Sequence, residues 1–142
     1  MKKRTSIKQQ TIKLYKKCWH LMSLYIRTKD IDKDGNISCY TCNKKLHYTE
    51  AQCGHFIHNK IDMAMNNLKP QCQYCNKWLH GNLANYAIHL IEDNGIEWVK
   101  DLRDYANEKC NKYSLEELQI IHDQLRAVLV VNHQKWVYQQ EK

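Results

Sequence analysis

The stretch DIDKDGNISCYTC, Asp30 to Cys42, decides how the chain is to be folded, because it can be read as a calcium loop or as a turn entering a metal-binding cysteine pair. Counted from Asp30, residues Asp32, Asp34, Gly35 and Ile37 stand where an EF-hand loop places its acidic ligands, its glycine and its central apolar residue. The twelfth position, however, is Thr41. One hydroxyl cannot replace the bidentate carboxylate that completes the oxygen cage around calcium. Cys39 and Cys42 are soft sulfur donors, unsuited to a hard cation. The stretch is therefore read as a turn at Asp34-Gly35-Asn36 leading into a Cys-x-x-Cys knuckle, with no calcium site.

A second pair, Cys72-Gln-Tyr-Cys75, matches the first. Four thiolates close a tetrahedral shell around Zn2+ and leave no open coordination position, so the metal expected on Cys39, Cys42, Cys72 and Cys75 is a structural staple. Of the seven cysteines, Cys18, Cys53 and Cys110 lie apart from the pairs, and Cys18 and Cys110 fall on apolar helix faces, where they are expected as small core residues. The N-terminal MKKRTSIKQQ lacks the apolar segment of a signal peptide, and no apolar run approaches the ~20 residues that span a bilayer. A cytoplasmic location without membrane contact is expected, where thiols stay reduced and metal is a better account of the cysteines than disulfides. The net charge of +7 points to an acidic partner, nucleic acid first.

With 142 residues, 43% of them hydrophobic, and a single proline, the chain fits one folded domain, 1–142. Apolar residues Leu14, Tyr15, Cys18, Trp19, Met22, Tyr25 and Ile26 recur at helical spacing and predict a basic amphipathic helix over 6–28. Lys13, Lys16 and Lys17 fall on its other face and are candidates for phosphate contact, as are Lys60, Lys77 and Asn82 further on. Short strands are expected at Ile37 to Cys42 and Leu46 to Tyr48, a third extended segment at Glu50 to Ile57, and an irregular loop around Asn66, Asn67 and Pro70. Leu79, Leu83, Tyr86 and Leu90 predict a helix over 76–93, capped by Asn94-Gly95. Gly81 costs that helix ~1 kcal/mol relative to alanine, a hint of close backbone approach. A further helix is expected over 96–109, and the capping box Ser114-Leu-Glu-Glu117 opens a last one reaching about Tyr138. The fold class is α+β, with a stapled core over 36–93 flanked by helices at 6–28 and 95–138.

The staple brackets Cys53-Gly-His55-Phe-Ile-His58, then Asn66-Asn67-Leu68, then Asn76 directly after Cys75, with His80 one turn later. Positions four apart share a helix face, so Asn76 and His80 are expected to point into one cleft opposite the strand that carries His55. His20, His47, His89, His122 and His133 sit in no metal-ligand pattern and are expected to be structural or solvated. This order of motifs resembles the zinc-stapled subgroup of HNH, or His-Me finger, nucleases that includes phage endonuclease VII. The run Cys-Gly-His-Phe, Asn-x-x-x-Gln-Cys-x-x-Cys-Asn, then Gly81-Asn82 with Tyr86, Leu90 and Gly95, more closely resembles the NinG (Rap) family of phage recombination proteins. The resemblance covers roughly 30–102.

The resemblance implies a ββα-metal core and an endonuclease that cuts branched DNA such as Holliday junctions inside a bacterial host. It implies His55 as general base, Asn67 as the group that holds the ring, and Asn76 and His80 as ligands of a catalytic Mg2+ or Mn2+. Many HNH proteins carry an acidic or histidine ligand just before the catalytic histidine; here the residue is Gly54, so either the metal is bound with less protein charge or His58 or Asp62 supplies the missing ligand. A homodimer would suit symmetric cutting of a four-way junction. The competing reading is a non-catalytic zinc-knuckle module that binds nucleic acid through its lysines and stacks Tyr74 and Trp78 on bases. A third, a protein-interaction domain, would use the last helix.

Overall fold

Ser6 starts the first helix by a reciprocal cap: its hydroxyl accepts from Gln9 N (3.2 Å) while its own N–H donates to the Gln9 side chain (3.1 Å). Helix α1 runs Ile7–Thr28. The computed structural model describes residues 5–140, so 1–4 and 141–142 of the expected domain lie outside the described residues. Strands β1 (Asn36–Ser38) and β2 (Lys45–His47) form one antiparallel pair, and β3 (Gln52–His55) and β4 (Leu68–Gln71) form another. Helices α2 (Leu83–Asn94), α3 (Ile96–Lys109) and α4 (Leu115–Gln140) complete the α+β fold. The second capping box also forms, with Glu117 N donating to Ser114 Oγ (3.1 Å) and Ser114 N to the Glu117 carboxylate (2.7 Å).

The main core lies where α1 and α4 clasp the second hairpin. Cys18, Met22 and Ile26 pack with Cys53, Met63, Leu68, Leu118 and Leu125. A small satellite surrounds the knuckles and contains Ile37, Leu46 and Ala51 together with three of the paired cysteines. Another joins α3 to the loop after β3 through Ile61, Leu102 and Ala106.

Three expectations need correction. Pro70 belongs to β4, paired with Cys53, and not to an irregular loop. Both strands of a two-stranded sheet are edges, so the missing N–H is tolerated, and the Pro70 carbonyl accepts from Tyr40 N (2.9 Å), tying the first knuckle to the hairpin. Cys110 is exposed and caps α3 in the left-handed region (φ 45°) instead of joining the core. The expected helix over 76–93 is broken. Tyr74–Trp78 form a π-helical turn, and His80, Gly81 and Asn82 then take φ values of 50°, 94° and 48° before α2 begins. Gly81 supplies the left-handed bend, where its N–H donates to Cys75 O (2.9 Å).

The opening stretch is a turn, as expected. Asp32 Oδ1 accepts from the N–H groups of Asp34 (2.9 Å) and Asn36 (2.8 Å), and its other oxygen pairs with Lys45 (2.9 Å). These contacts hold the Asp32 carboxyl down at about 2, led by Lys45 and then Asn36 N. Its lone pairs are committed to the turn.

Candidate functional site

The two knuckles meet. The Sγ atoms of Cys39, Cys42, Cys72 and Cys75 lie within 4.8 Å of one another, and the Cys42–Cys72 pair is 3.8 Å apart. A tetrahedron with Zn–S bonds of ~2.3 Å has S–S edges of ~3.8 Å, so the four cysteines could hold a zinc ion. Burial alone would raise the Cys39 thiol, but donation from the Thr41 hydroxyl and from the N–H groups of Cys72, Thr41 and Cys42 brings it down to about 6. Cys72 Sγ accepts from Cys75 N (3.4 Å) and Cys75 Sγ from Asn82 Nδ2 (3.5 Å). Donors aimed at sulfur favour the thiolate form that a metal requires, whereas burial pushes the Cys42 thiol up to about 12 and raises that of Cys72, so it is the bound cation that would hold all four as thiolates. Asn82, a candidate for nucleic-acid contact, also braces this cluster from its left-handed bend.

His55 ends β3, and its side chain is 19% exposed. Trp19 of α1 stacks on the ring at 4.9 Å and 14°. Its Nε2 lies 3.7 Å from Asp62 Oδ1 and is buried without a hydrogen-bond partner. Asp62 is itself held, accepting from Tyr15 Oη (2.8 Å) and Asn111 Nδ2 (3.1 Å) on Oδ2, while its N–H donates to Asn111 Oδ1 (2.9 Å). Burial lowers the His55 pKa from its ordinary 6.5; the Asp62 carboxylate opposes this and His58 adds to it. The ring is therefore neutral at pH 7, the state in which an imidazole can accept a proton.

The other expected residues fall around this centre with altered roles. Asn67 is fully buried, but its amide bonds backbone instead of the His55 ring: Oδ1 accepts from Ile57 N (2.8 Å) and Nδ2 donates to Ile57 O (2.9 Å). It fixes the chain leaving His55, while Trp19 and Asp62 contact the ring. Asn76 Nδ2 donates to Gln52 Oε1 (2.8 Å), and the break at residues 80–82 removes the shared helix face proposed for Asn76 and His80. His58 has its ring 6.1 Å from that of His55, and its Nε2 would lie 3.4 Å from a Cβ placed at Gly81. Among the described residues, the four cysteines form the only group of three or more His, Cys, Asp or Glu side chains able to share an ion.

Gln71 explains why no ligand precedes His55. Its fully buried side chain fills the space where residue 54 would carry a Cβ, 1.9 Å from Gln71 Oε1. Its Nε2 donates to Thr41 Oγ1 (3.0 Å) in the first knuckle and to Gly81 O (2.8 Å) at the bend. One amide thus joins the cysteine cluster, the His55 hairpin and the bend beside His80. The resemblance motif contains Gln71 in its Asn-x-x-x-Gln-Cys run without giving it a role, and no sequence pattern marked Trp19, Tyr15 or Asn111 as part of a site; only Gly81 hinted at close packing.

Lys13, Lys16, Lys17 and Lys77 are exposed, whereas Lys60 is half-buried and its amine donates to Asn107 Oδ1. Lys16, Lys17 and His20 of α1 face His122 and Arg126 of α4 across an open groove of about 520 Å³. No described helix is long and apolar enough to cross a membrane.

Residues 1–134 match the model of a protein family described as bacteriophage lambda NinG protein. No curated protein and no solved structure matches the chain.

Proposed function

The chain belongs to the bacteriophage lambda NinG family, and on that premise we propose that it is a divalent-metal-dependent endonuclease of the His-Me finger type, acting on branched DNA such as Holliday junctions. The observation that carries this reading is the setting of His55: a neutral imidazole at the end of a strand, one nitrogen beside Asp62, on a hairpin whose second strand runs into the cysteine cluster.

In this reading, the ring nitrogen turned away from Asp62 takes the proton of the attacking water, and the Asp62 carboxylate stabilises the imidazolium that results. Trp19 and the Asn67-clamped backbone limit rotation of the ring. The basic groove between α1 and α4, with Lys13 beside it in sequence, attracts the sugar-phosphate strand. Mg2+ or Mn2+, when bound, would neutralise charge on the scissile phosphate and the leaving oxygen. Its candidate holders are His58, whose Nε2 reaches the Gly81 bend, and His80, next to that bend in sequence; Mg2+ itself favours oxygen ligands, so an imidazole-rich set would suit Mn2+ better. Asn76 can join the two histidines through its Oδ1 while its Nδ2 keeps donating to Gln52 (2.8 Å). We assign cutting to a homodimer, with the exposed Ile120, Val130 and Val131 of α4 as contact candidates; a monomeric mass by light scattering removes that part.

The second reading, a zinc-stabilised DNA-binding module without catalysis, is favoured by the occluded Nε2 of His55 and by the lack of a converged second metal cluster among the described residues. One experiment separates the two: cleavage of a four-way junction and a matched duplex, with and without Mg2+ or Mn2+, by the wild type and by His55→Ala. The nuclease reading expects metal-dependent cleavage that His55→Ala abolishes while zinc content and DNA affinity are retained. A wild type that cuts neither substrate with any divalent ion leaves the binding module.

A further inference from the structure

Beside the cysteine cluster, on the side of the π-helical turn, two large aromatic rings face solvent. Trp78 is 70% exposed and Tyr74 62%, and they line the same open cavity of about 370 Å³ together with Lys44 and Glu50. Their backbone is fixed: Leu79 N donates to Tyr74 O (2.9 Å), and Cys72 and Cys75, which flank and enter the turn, are buried in the cluster. A tryptophan this exposed contributes little to any core, and single exposed apolar residues are ordinary. Two aromatics on one rigid turn, with Lys44 on the cavity wall and exposed Lys77 between them in sequence, are a more specific arrangement.

We propose that Tyr74 and Trp78 form a stacking platform for unpaired nucleobases of single-stranded DNA, with Lys44 and Lys77 meeting the adjoining phosphates. The inference deepens the nucleic-acid reading above and rests on it. Every base offers a π-face, so aromatic stacking is tolerant of sequence, while lysines alongside follow the backbone. In an intact duplex those faces are already covered by neighbouring base pairs. The platform therefore distinguishes unpaired strand from duplex, which is the property needed at the unpaired nucleotides of a branched or partly opened molecule. A rigid turn keeps the ordering cost of each ring low. Tyr and Trp are also enriched in protein interfaces, which makes a protein partner the alternative occupant.

The test uses the full, zinc-loaded chain without added divalent ion, titrated with an oligothymidylate and with a blunt duplex of equal length, reading affinity and tryptophan fluorescence. Trp78→Ala should weaken oligothymidylate binding about tenfold, ~1.4 kcal/mol, and remove most of the quenching, while duplex affinity stays within about twofold. Trp78→Phe should restore most of the affinity, and Tyr74→Ala should act in the same direction as Trp78→Ala. Melting temperature and zinc content should not change, because both side chains are largely solvated. The proposal is overturned if the wild type does not bind the oligonucleotide, if Trp78→Ala binds it as well as wild type, or if single-strand and duplex affinities fall together. It is also overturned if Trp78→Ala dissociates a dimer, which would make the surface a protein interface. Cleavage is not measured, so a chain that never cuts DNA defeats the nuclease reading and leaves this one standing.

Discussion

Replacing Gly54 by alanine should destabilise the fold by about 3 kcal/mol through Gln71. The added Cβ would lie 1.9 Å from Gln71 Oε1, 2.6 Å from Cδ and 3.0 Å from Cγ, so no small rotation relieves it and the side chain must leave. Its departure breaks the bonds to Thr41 Oγ1 and Gly81 O. Thr41 and Gly81 are both buried, so water does not readily replace the amide. A buried group left unsatisfied costs ~1–3 kcal/mol, and the second lost bond adds ~0.5–1.5 kcal/mol. For a chain of this size the sum corresponds to a fall of roughly 10 °C in melting temperature.

The assay is urea unfolding followed by circular dichroism with zinc in excess, on Gly54→Ala, Gln71→Ala and the double variant. Because Gln71→Ala removes the obstructing atoms, Gly54→Ala should cost almost nothing in that background, giving a coupling of about 2 kcal/mol or more. A loss below ~1 kcal/mol in the single variant, or an equal loss in both backgrounds, refutes the argument that Gln71 reserves this space. The same geometry makes Gly54→Asp, which would place a carboxylate before His55, more damaging than alanine and no aid to metal-dependent cleavage.

Cys72→Ser should lower stability by about 3 kcal/mol or more and release zinc, because the metal affinity of such a site is folding energy; an unchanged melting curve and zinc content would discredit the staple. Asp62→Asn should lower the His55 pKa further, since the carboxylate now raises it, and an NMR titration in which that value rises or stays fixed would contradict the pairing. Trp19→Ala should move the same pKa up toward 6.5, because burial is the main cause of its depression. The sign for stability follows: protonation of His55 favours the unfolded chain, so this part of the stability is complete above pH 6.5 and is lost as pH falls through the lower, folded value; Trp19→Ala should reduce that acid-side loss. Added calcium should change neither spectrum nor melting temperature, because Asp32 is occupied by its own turn and by Lys45; micromolar binding would overturn that assignment.

What could be read from the chain in advance was whatever depends on neighbours in sequence. The cysteine pairs converge because two thiolates three residues apart already form half a tetrahedron. Ser6 and Ser114 cap helices because their partners sit three residues on. The bend at residues 80–82 escaped this kind of reading because the apolar period Leu79, Leu83, Tyr86 and Leu90 continues across it. An asparagine or histidine in the left-handed region leaves little trace in composition, since both tolerate positive φ better than most residues. Asp62 acquires its role from Tyr15 and Asn111, 47 and 49 residues away in sequence, and no spacing rule reaches that far.

Tyr15 and Trp19 show why a helix that looks like ordinary core can be part of a site. Their four-residue spacing predicts an apolar face, and α1 does bury Cys18, Met22 and Ile26 along the adjoining stripe. Yet Tyr15 donates to the carboxylate beside His55, and Trp19 covers the imidazole ring. The motifs behind the family resemblance begin only near residue 30, whereas two of the side chains that set the charge and orientation of His55 lie before residue 20. A hairpin and a cysteine cluster alone would leave His55 solvated on the Trp19 side and Asp62 without its Tyr15 hydrogen bond. The N-terminal helix thus joins the core to the candidate catalytic centre, and substitutions on its apolar face should alter His55 titration before they alter the zinc cluster.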